Sequence, residues 1–157
     1  MTVLNWNYHN LTTETLIEKL NDLENPDEVR ELNMVHTRLS SLKGVIFPSE
    51  LTRLDLSYNH LTTLEGFNCP KNLKILNLAH NELTTLAGIK FSDCLEELGL
   101  GRNNLTTLKN VELPNQLRGL NIWGNEIESL YGVAISKLCN VFCSNELRRT
   151  MIVGVGG

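Results

Sequence analysis

The sequence predicts an α/β solenoid in which a parallel β-sheet lines a concave face, opposite an irregular or extended convex side, with one short N-terminal helix. Three observations predict this fold class. A unit of twenty-two residues recurs along the chain, each unit begins with a short stretch of regularly spaced apolar residues, and the second half of the unit lacks helical periodicity. Stacked units of this kind bury a continuous core that no single unit could form.

The first half of the repeat has apolar residues at its first, fourth, sixth and eleventh positions and asparagine at its ninth. Four consecutive units keep this frame, and they begin at Leu51, Leu73, Leu95 and Leu117. Their ninth positions are Asn59, Asn81, Asn103 and Asn125. Apolar residues that alternate with polar ones predict a short strand with one face buried, so each unit is expected to add one strand to the sheet.

The pattern L-x-x-L-x-L-x-x-N-x-L at this spacing resembles the repeat of leucine-rich-repeat proteins, over roughly residues 1–147. The resemblance implies that each asparagine lies inside the turn after its strand and satisfies backbone groups of adjacent turns. Its amide group can both donate and accept. A buried backbone group left unpaired would cost about 1–3 kcal/mol, so a ladder of asparagines should be a main source of stability.

The same frame continues into atypical units at both ends. Further units are expected to begin near residues 1, 29 and 138, which makes six units and a degenerate seventh. In the two N-terminal units, His9 and Thr37 take the asparagine position. In the last unit, Leu138, Val141 and Cys143 are assigned to the leucine positions, one residue short of the usual period. Terminal repeats are expected to differ because they must cover the open ends of the core.

One repeat domain is therefore predicted over 1–147, followed by a C-terminal tail over 148–157. The first unit contains an insertion whose apolar residues fall at helical spacing. We expect a short amphipathic helix at about 14–23, capped by Thr12 or Thr13 and ended by an Asn-Pro pair. Its expected role is to cover the N-terminal end of the core.

The second half of the unit predicts an extended convex side. One column of the repeat consists of Gly44, Gly66, Gly88, Asn110 and Gly132. Asparagine is among the non-glycine residues most often found at positive φ, so this column indicates a left-handed backbone. Every proline lies three residues before the first apolar residue of a strand, at Pro26, Pro48, Pro70 and Pro114. This convex phrase is similar to the proline-bearing repeats of bacterial, protist and large-virus proteins.

Composition narrows the class of protein. The net charge is −4 with both signs spread through the chain, and no apolar run approaches membrane-spanning length, so neither nucleic acid nor a membrane is expected as a partner. Cys69 and Cys143 fall in apolar columns and are expected in the core, Cys94 precedes a strand, and Cys139 is expected to point outward. Free thiols favour a reducing, cytoplasmic setting.

The sequence offers no arrangement typical of an enzyme. It contains no phosphate-binding glycine loop, no zinc-protease motif and no nucleophile elbow. His36 and His80 share a column but lie two strands apart, about 10 Å by normal strand spacing, which is too far for one metal ion. We therefore expect a non-catalytic protein without a cofactor or metal.

The outward positions of the predicted strands form the candidate binding surface. The residues proposed to contact a partner are His36, Asp55, Tyr58, Asn77, His80, Arg102, Trp123 and Phe142. Tyrosine, tryptophan and arginine are enriched in binding hot spots, and a tryptophan on an open strand face has no role in the core. A solvated ladder is an equally good interpretation of Asp55 and Asn77. Small residues are expected to open a depression beside Trp123 and Phe142, at Ala79, Gly99, Gly101, Gly119 and Gly124.

Leucine-rich-repeat proteins of intracellular type act mainly as interaction modules, so the leading hypothesis is a module that holds a protein partner on its concave face. The alternative is a structural or targeting segment of a larger protein, or a scaffold that self-associates through its C-terminal end. The shortened last unit and the apolar residues of the tail favour that alternative, and a monomer or weak dimer is expected. A ribonucleoprotein adaptor is a weaker hypothesis because acidic residues are mixed into the face.

Overall fold

The computed structural model describes residues 2–148, which form a solenoid with one seven-stranded parallel sheet in chain order. The strands are β1 (Thr2–Asn5), β2 (Val29–Asn33), β3 (Arg53–Asp55), β4 (Ile75–Asn77), β5 (Glu97–Gly99), β6 (Gly119–Asn121) and β7 (Asn140–Phe142). Helix α1 (Thr13–Asn21) and a 3-10 turn (Pro26–Glu28) lie between β1 and β2, and residues 145–148 are helical. The predicted fold class is confirmed.

The register of the sheet follows the repeat. The central leucine of each strand pairs with its equivalent, for example Leu32 with Leu54 and Leu76 with Leu98. Because equivalent residues are aligned, the leucines stack in columns, and those at the first, fourth and sixth positions of the regular units are almost fully buried. On the convex side Phe47 and Phe67 continue the core in an edge-to-face contact, with ring centroids 5.9 Å apart.

The asparagine ladder is present inside the turns. The amide nitrogen of Asn81 donates to the carbonyls of Leu56 (3.0 Å) and Leu78 (3.1 Å). Its Oδ1 accepts from the backbone N–H of Leu61 at 3.0 Å. The same three contacts recur at Asn59, Asn103 and Asn125. Each asparagine therefore links the turn of its own unit to the turn before it.

Thr37 takes the asparagine position as predicted, but it satisfies the turn differently. It is fully buried, and its hydroxyl lies 3.2 Å from the carbonyl of Met34 and 2.9 Å from Oδ1 of Asn59. Its shorter side chain does not reach the preceding turn. Asn7 links the first two units instead, because its Oδ1 accepts from the N–H of Val35 at 2.7 Å.

Helix α1 starts at a capping box. The hydroxyl of Thr12 accepts from the N–H of Thr15, whose hydroxyl in turn accepts from the N–H of Thr12. The helix begins one residue before the predicted span and ends two residues before its predicted end. Leu16 and Leu20 are buried against the first turns of the solenoid. The helix therefore contributes apolar side chains to the N-terminal part of the core.

The convex side is extended, with tight turns at the glycine column. Its members have φ between 64° and 79°, the lowest value belonging to Asn110, so the predicted left-handed backbone is present. The prolines also have a common role, because each proline carbonyl accepts the N–H of the residue three positions later, at Val29, Leu51, Leu73 and Leu117. Ser92 supplies the equivalent carbonyl to Leu95.

In the terminal units, the structure corrects three repeat positions that were assigned from the sequence. His9 is exposed and its ring contacts the carbonyl of Asn7, so His9 does not enter the turn as an asparagine would. Leu138 is 82% exposed. Cys139 takes its place, since its N–H donates to Ser136 as that of Leu117 donates to Pro114, and it packs partly buried against the core rather than pointing outward.

The missing residue of the last unit therefore falls between Cys139 and β7. Leu120 of β6 pairs with Val141, which restores the sheet register after the deletion. Cys143 packs against the core, half-buried. Met1 and the tail beyond residue 148, which includes the apolar stretch considered for self-association, lie outside the described residues. Within 2–148, no helix has the length and apolar character needed to cross a membrane.

We expect Asn81→Ala to lower the free energy of unfolding by about 2–3 kcal/mol, because it leaves buried backbone groups of two turns unpaired. Chemical denaturation measures the change. Asn104→Ala is the matched control, since Asn104 is exposed and its side chain lies outside the ladder. Equal stability of the two variants would contradict the ladder's role.

We expect Gly88→Ala to cost about 1–2 kcal/mol through backbone strain alone. Gly88 has φ of 78°, and an added Cβ would meet nothing within 4 Å, so steric contact contributes nothing. Gly119→Ala is the control, because its Cβ would make only an ordinary contact, 3.6 Å from Cγ of Glu97. Thermal unfolding of both variants separates the two cases; an unchanged midpoint for Gly88→Ala would refute the strain argument.

Candidate functional site

The eighth position of each unit, just before the asparagine position, has a left-handed backbone. The φ angles are 61° at Tyr8, 56° at His36, 57° at Tyr58, 55° at His80 and 55° at Arg102. In the sixth unit the same position is Gly124, with φ of 73°. This conformation costs an L-residue about 1–2 kcal/mol, so five successive units carry strain that glycine would avoid.

The side chains at these positions form a continuous stack across the strands. Ring centroids lie 5.4 Å apart between Tyr8 and His36, 4.5 Å between His36 and Tyr58, and 4.0 Å between Tyr58 and His80. The rings are within 28° of parallel. These distances match the separation of neighbouring strands, about 4.8 Å, so the sheet register sets the stack.

The row is extended by a cation–π contact. Cζ of Arg102 lies 4.7 Å from the centroid of the Trp123 ring. We call the whole row the aromatic ridge, and it consists of Tyr8, His36, Tyr58, His80, Arg102 and Trp123. Five of these six residues were proposed from the sequence, and the structure brings those five together in one row. The ridge is partly exposed, with 43% of Tyr58 and 44% of Trp123 accessible to solvent.

A groove of about 660 Å³ runs along one side of the ridge. Its far wall is formed by the tenth positions of four units, namely Asn10, Arg38, His60 and Glu82. We call this groove the flank groove. Nδ1 of His60 lies 2.8 Å from Oε1 of Glu82, so one carboxylate of the wall is engaged within the groove. Arg38 has a left-handed backbone like the ridge residues, with φ of 63°.

Tyr8 and the far wall of the flank groove were missed by sequence analysis. The signal was present, because Tyr8 occupies the eighth position of the first unit and the wall residues share the tenth. The tenth positions were not considered because an alternating strand pattern assigns exposed residues to the sheet face alone. The turn after the strand carries the surface further round the solenoid.

A second depression of about 600 Å³ lies on the sheet between β5 and β7, and Phe142, 65% exposed, forms one side of it. Gly99 and Gly119 line its floor, as predicted. Gly101 does not, because it is buried and an added Cβ would lie 3.2 Å from the amide of Asn121. Trp123 belongs to the ridge and does not line this depression. The predicted depression beside both Trp123 and Phe142 is therefore a depression beside Phe142 alone, with Trp123 on the separate ridge.

Asp55 and Asn77 hold the turns beneath the ridge. Oδ1 of Asp55 accepts from the N–H of Ser57 at 2.9 Å and from its hydroxyl at 2.6 Å. The other carboxylate oxygen accepts from the amide of Asn77 at 3.0 Å, and Asn77 accepts from the N–H of Ala79. Their polar atoms therefore have partners within the protein, which agrees with the interpretation of this column as a ladder.

The environment of the ridge changes the ionisation of one member. Partial burial lowers the pKa of His80 below its ordinary value of 6.5, and electrostatic interactions with Arg102 and His36 lower it further. At neutral pH His80 is therefore uncharged, and its ring stacks on Tyr58 without an added charge beside Arg102. Among the described residues, no cluster of three or more histidine, cysteine or acidic side chains could hold a metal ion.

Comparison with known proteins agrees with the geometry. A family model described as leucine rich repeat matches residues 27–83. No curated protein matches the chain. Together with the repeat frame and the parallel solenoid, this match supports a leucine-rich-repeat protein. Domains of this family are generally protein-interaction modules and are typically non-catalytic.

We expect the His80 ring to titrate below 6.5 and Arg102→Gln to raise that midpoint, since a repelling charge is removed. NMR titration of the histidine Cε1–H signals measures both, with Lys90→Gln, on the convex side, as the charge control. Because the lowered pKa belongs to the folded state, His80 should reduce stability as pH falls below 6.5. A His80 midpoint at or above 6.5 would contradict the assignment.

Proposed function

We propose that this protein is a non-catalytic module that holds a protein partner against its concave face, with the aromatic ridge at the centre of the contact. One observation carries the proposal. Five successive units keep a large side chain on a left-handed backbone, although Gly124 shows that the same turn forms with glycine. Strain retained in this way is typical of functional positions, because stability alone would favour glycine.

The ridge is suited to binding because its side chains should lose little conformational entropy when a partner associates. Its rings are stacked on one another before any partner arrives, so less side-chain freedom remains to be lost on association. Tyrosine, tryptophan and arginine are the residues that most often dominate interfaces. We assign the central contacts to His36, Tyr58, His80, Arg102 and Trp123. The exposed ring of Phe142 would extend the contact across the sheet.

Asp55 and Asn77 have a supporting role in this proposal. They accept the hydrogen bonds that shape the turns, and these turns present Tyr58 and His80. Their loss would displace the ridge rather than remove a direct contact with the partner. We expect a single partner surface, no nucleic acid or membrane ligand, and a cytoplasmic setting, consistent with Cys69 and Cys143 packed as free thiols against the core.

A self-associating scaffold is the second candidate. β7 is the last strand of the described sheet, so one of its edges is unpaired. Such an edge is a template for another strand. Leu138 and Phe142 are both exposed beside it. On this hypothesis the protein would form a weak dimer through its C-terminal end, and the ridge would remain free.

We expect Trp123→Ala to weaken partner binding by about 2 kcal/mol, roughly thirtyfold, with little change in stability. The double variant Trp123→Ala, His80→Ala should abolish capture of the partner from native cells. Quantitative affinity capture and thermal unfolding measure the two effects. Tyr131→Ala is the matched control, because Tyr131 is 90% exposed and lies away from the ridge.

The solution mass of the wild type separates the two candidates. A monomer that captures a protein lost from the folded double variant would support binding on the concave face. If the wild type is a dimer and the double variant captures the same proteins as the wild type, the result would support the self-associating scaffold instead. A large fall in the melting temperature of Trp123→Ala would refute its placement outside the core.

A further inference from the structure

We propose that the part of the partner held in the flank groove is an extended acidic segment, whose carboxylates pair with Arg38 and Arg102. This inference rests on the proposed function and names the chemistry of the partner for the same site. It is argued from three features: positive charge in the groove without a carboxylate partner, the covered faces of the central rings, and the number of strand steps between the units of the two arginines.

The groove is positively charged although the chain has a net charge of −4. Both Arg38 and Arg102 line it and are exposed. The ion pairs among residues 2–148 involve other cations, namely Arg30, Lys43, His60 and Lys74. The one acidic residue in the lining, Glu82, is already paired with His60. Two full positive charges therefore face the groove without a carboxylate partner in the described part of the chain.

At its centre, the ridge presents ring edges to a ligand instead of ring faces. His36 is covered by Tyr8 on one side and by Tyr58 on the other, and Tyr58 is covered by His36 and His80. The free parts of these residues are phenol hydroxyls and imidazole nitrogens, next to the arginine guanidiniums. Hydroxyls, ring N–H groups and guanidiniums donate hydrogen bonds, and a carboxylate is an acceptor.

The covered ring faces also favour a protein over a single-stranded nucleic acid. Proteins that bind single strands stack bases on free aromatic faces, worth about 1–3 kcal/mol per base. On the central rings, that contact would first require a stack such as Tyr58–His80, at 4.0 Å, to open. A peptide carboxylate needs no such rearrangement, because it contacts the donors at the ring edges.

The positions of the two arginines set the length of the segment. Arg38 belongs to the second unit and Arg102 to the fifth, so three strand steps separate them, about 14 Å. An extended chain rises about 3.3 Å per residue, so four or five residues cover that distance. The partner segment should therefore carry acidic residues four or five positions apart, with the intervening residues lying along the ridge.

The test begins with selection of phage-displayed random 16-residue peptides on the immobilised full chain. We expect the selected peptides to be enriched in aspartate and glutamate at that separation. Fluorescence polarisation with one labelled selected peptide then compares the wild type with Arg38→Gln, Arg102→Gln. We expect the double variant to bind at least thirtyfold more weakly, and the wild-type affinity to fall as salt concentration rises.

Two controls isolate charge in the groove from charge elsewhere. Lys90→Gln, Lys109→Gln removes the same number of charges from exposed convex positions and should leave the affinity unchanged. Arg38→Lys, Arg102→Lys keeps the charge and should restore part of the binding. Thermal unfolding confirms that each variant is folded. If Arg102→Gln disturbs the Trp123 contact and unfolds, Arg38→Gln alone provides the comparison, with an expected loss of about tenfold.

The remaining outcomes overturn the inference in distinguishable ways. Selected peptides without acidic enrichment that still require Trp123 and His80 would refute the acidic segment and leave the proposed function standing. Peptides that bind equally to all variants, including the Trp123→Ala, His80→Ala double variant, would refute both. Displacement of the labelled peptide from the groove by a twelve-nucleotide oligothymidylate, at lower concentration than by the unlabelled peptide, would replace the acidic segment with a nucleic acid.

Discussion

The structure depends on satisfying the backbone groups that each turn buries when the solenoid closes on its core. Asparagine does this in four successive units, donating to two carbonyls and accepting at least one N–H, and Thr37 does it in a shorter form. The turn that admits this side chain places the preceding residue in the left-handed region, from His36 to Gly124, and the first unit has the same backbone at Tyr8 although His9 stays outside the turn. The interaction that holds the turns together therefore also determines where the ridge residues point.

The parallel register converts this local geometry into a surface. Because equivalent residues of neighbouring units lie side by side, one left-handed position per unit becomes a row of side chains spaced like the strands. At that spacing aromatic rings stack, as Tyr58 and His80 do at 4.0 Å. Stacking offsets part of the backbone strain, with aromatic pairs worth about 0.5–1.5 kcal/mol beyond burial. The balance explains how the fold tolerates strain that glycine would remove.

The same row explains why a partner with hydrogen-bond acceptors suits this surface. Ring faces are used within the ridge, and the donors at the edges lie next to a groove in which Arg38 and Arg102 lack a carboxylate partner within residues 2–148. The opposite end of the solenoid has a different character, since Leu138 and Phe142 are exposed beside β7. The ridge and flank groove support the binding of a protein partner, whereas the exposed residues beside β7 support self-association. The Trp123, His80, Arg38 and Arg102 variants change only the first of these surfaces.

The sequence by itself determined the repeat, the sheet register, the asparagine ladder and five members of the ridge, because one side-chain pattern repeated at fixed spacing leaves a single way to bury the leucines. It misplaced Leu138 and Cys139, since a one-residue deletion can lie on either side of an apolar residue and only core packing distinguishes the two. Only the tertiary structure decided that Tyr8 joins the ridge, that the rings stack, and that Arg38 and His60 form a groove. Those features depend on φ angles and side-chain contacts between units twenty-two residues apart, which composition and spacing do not specify.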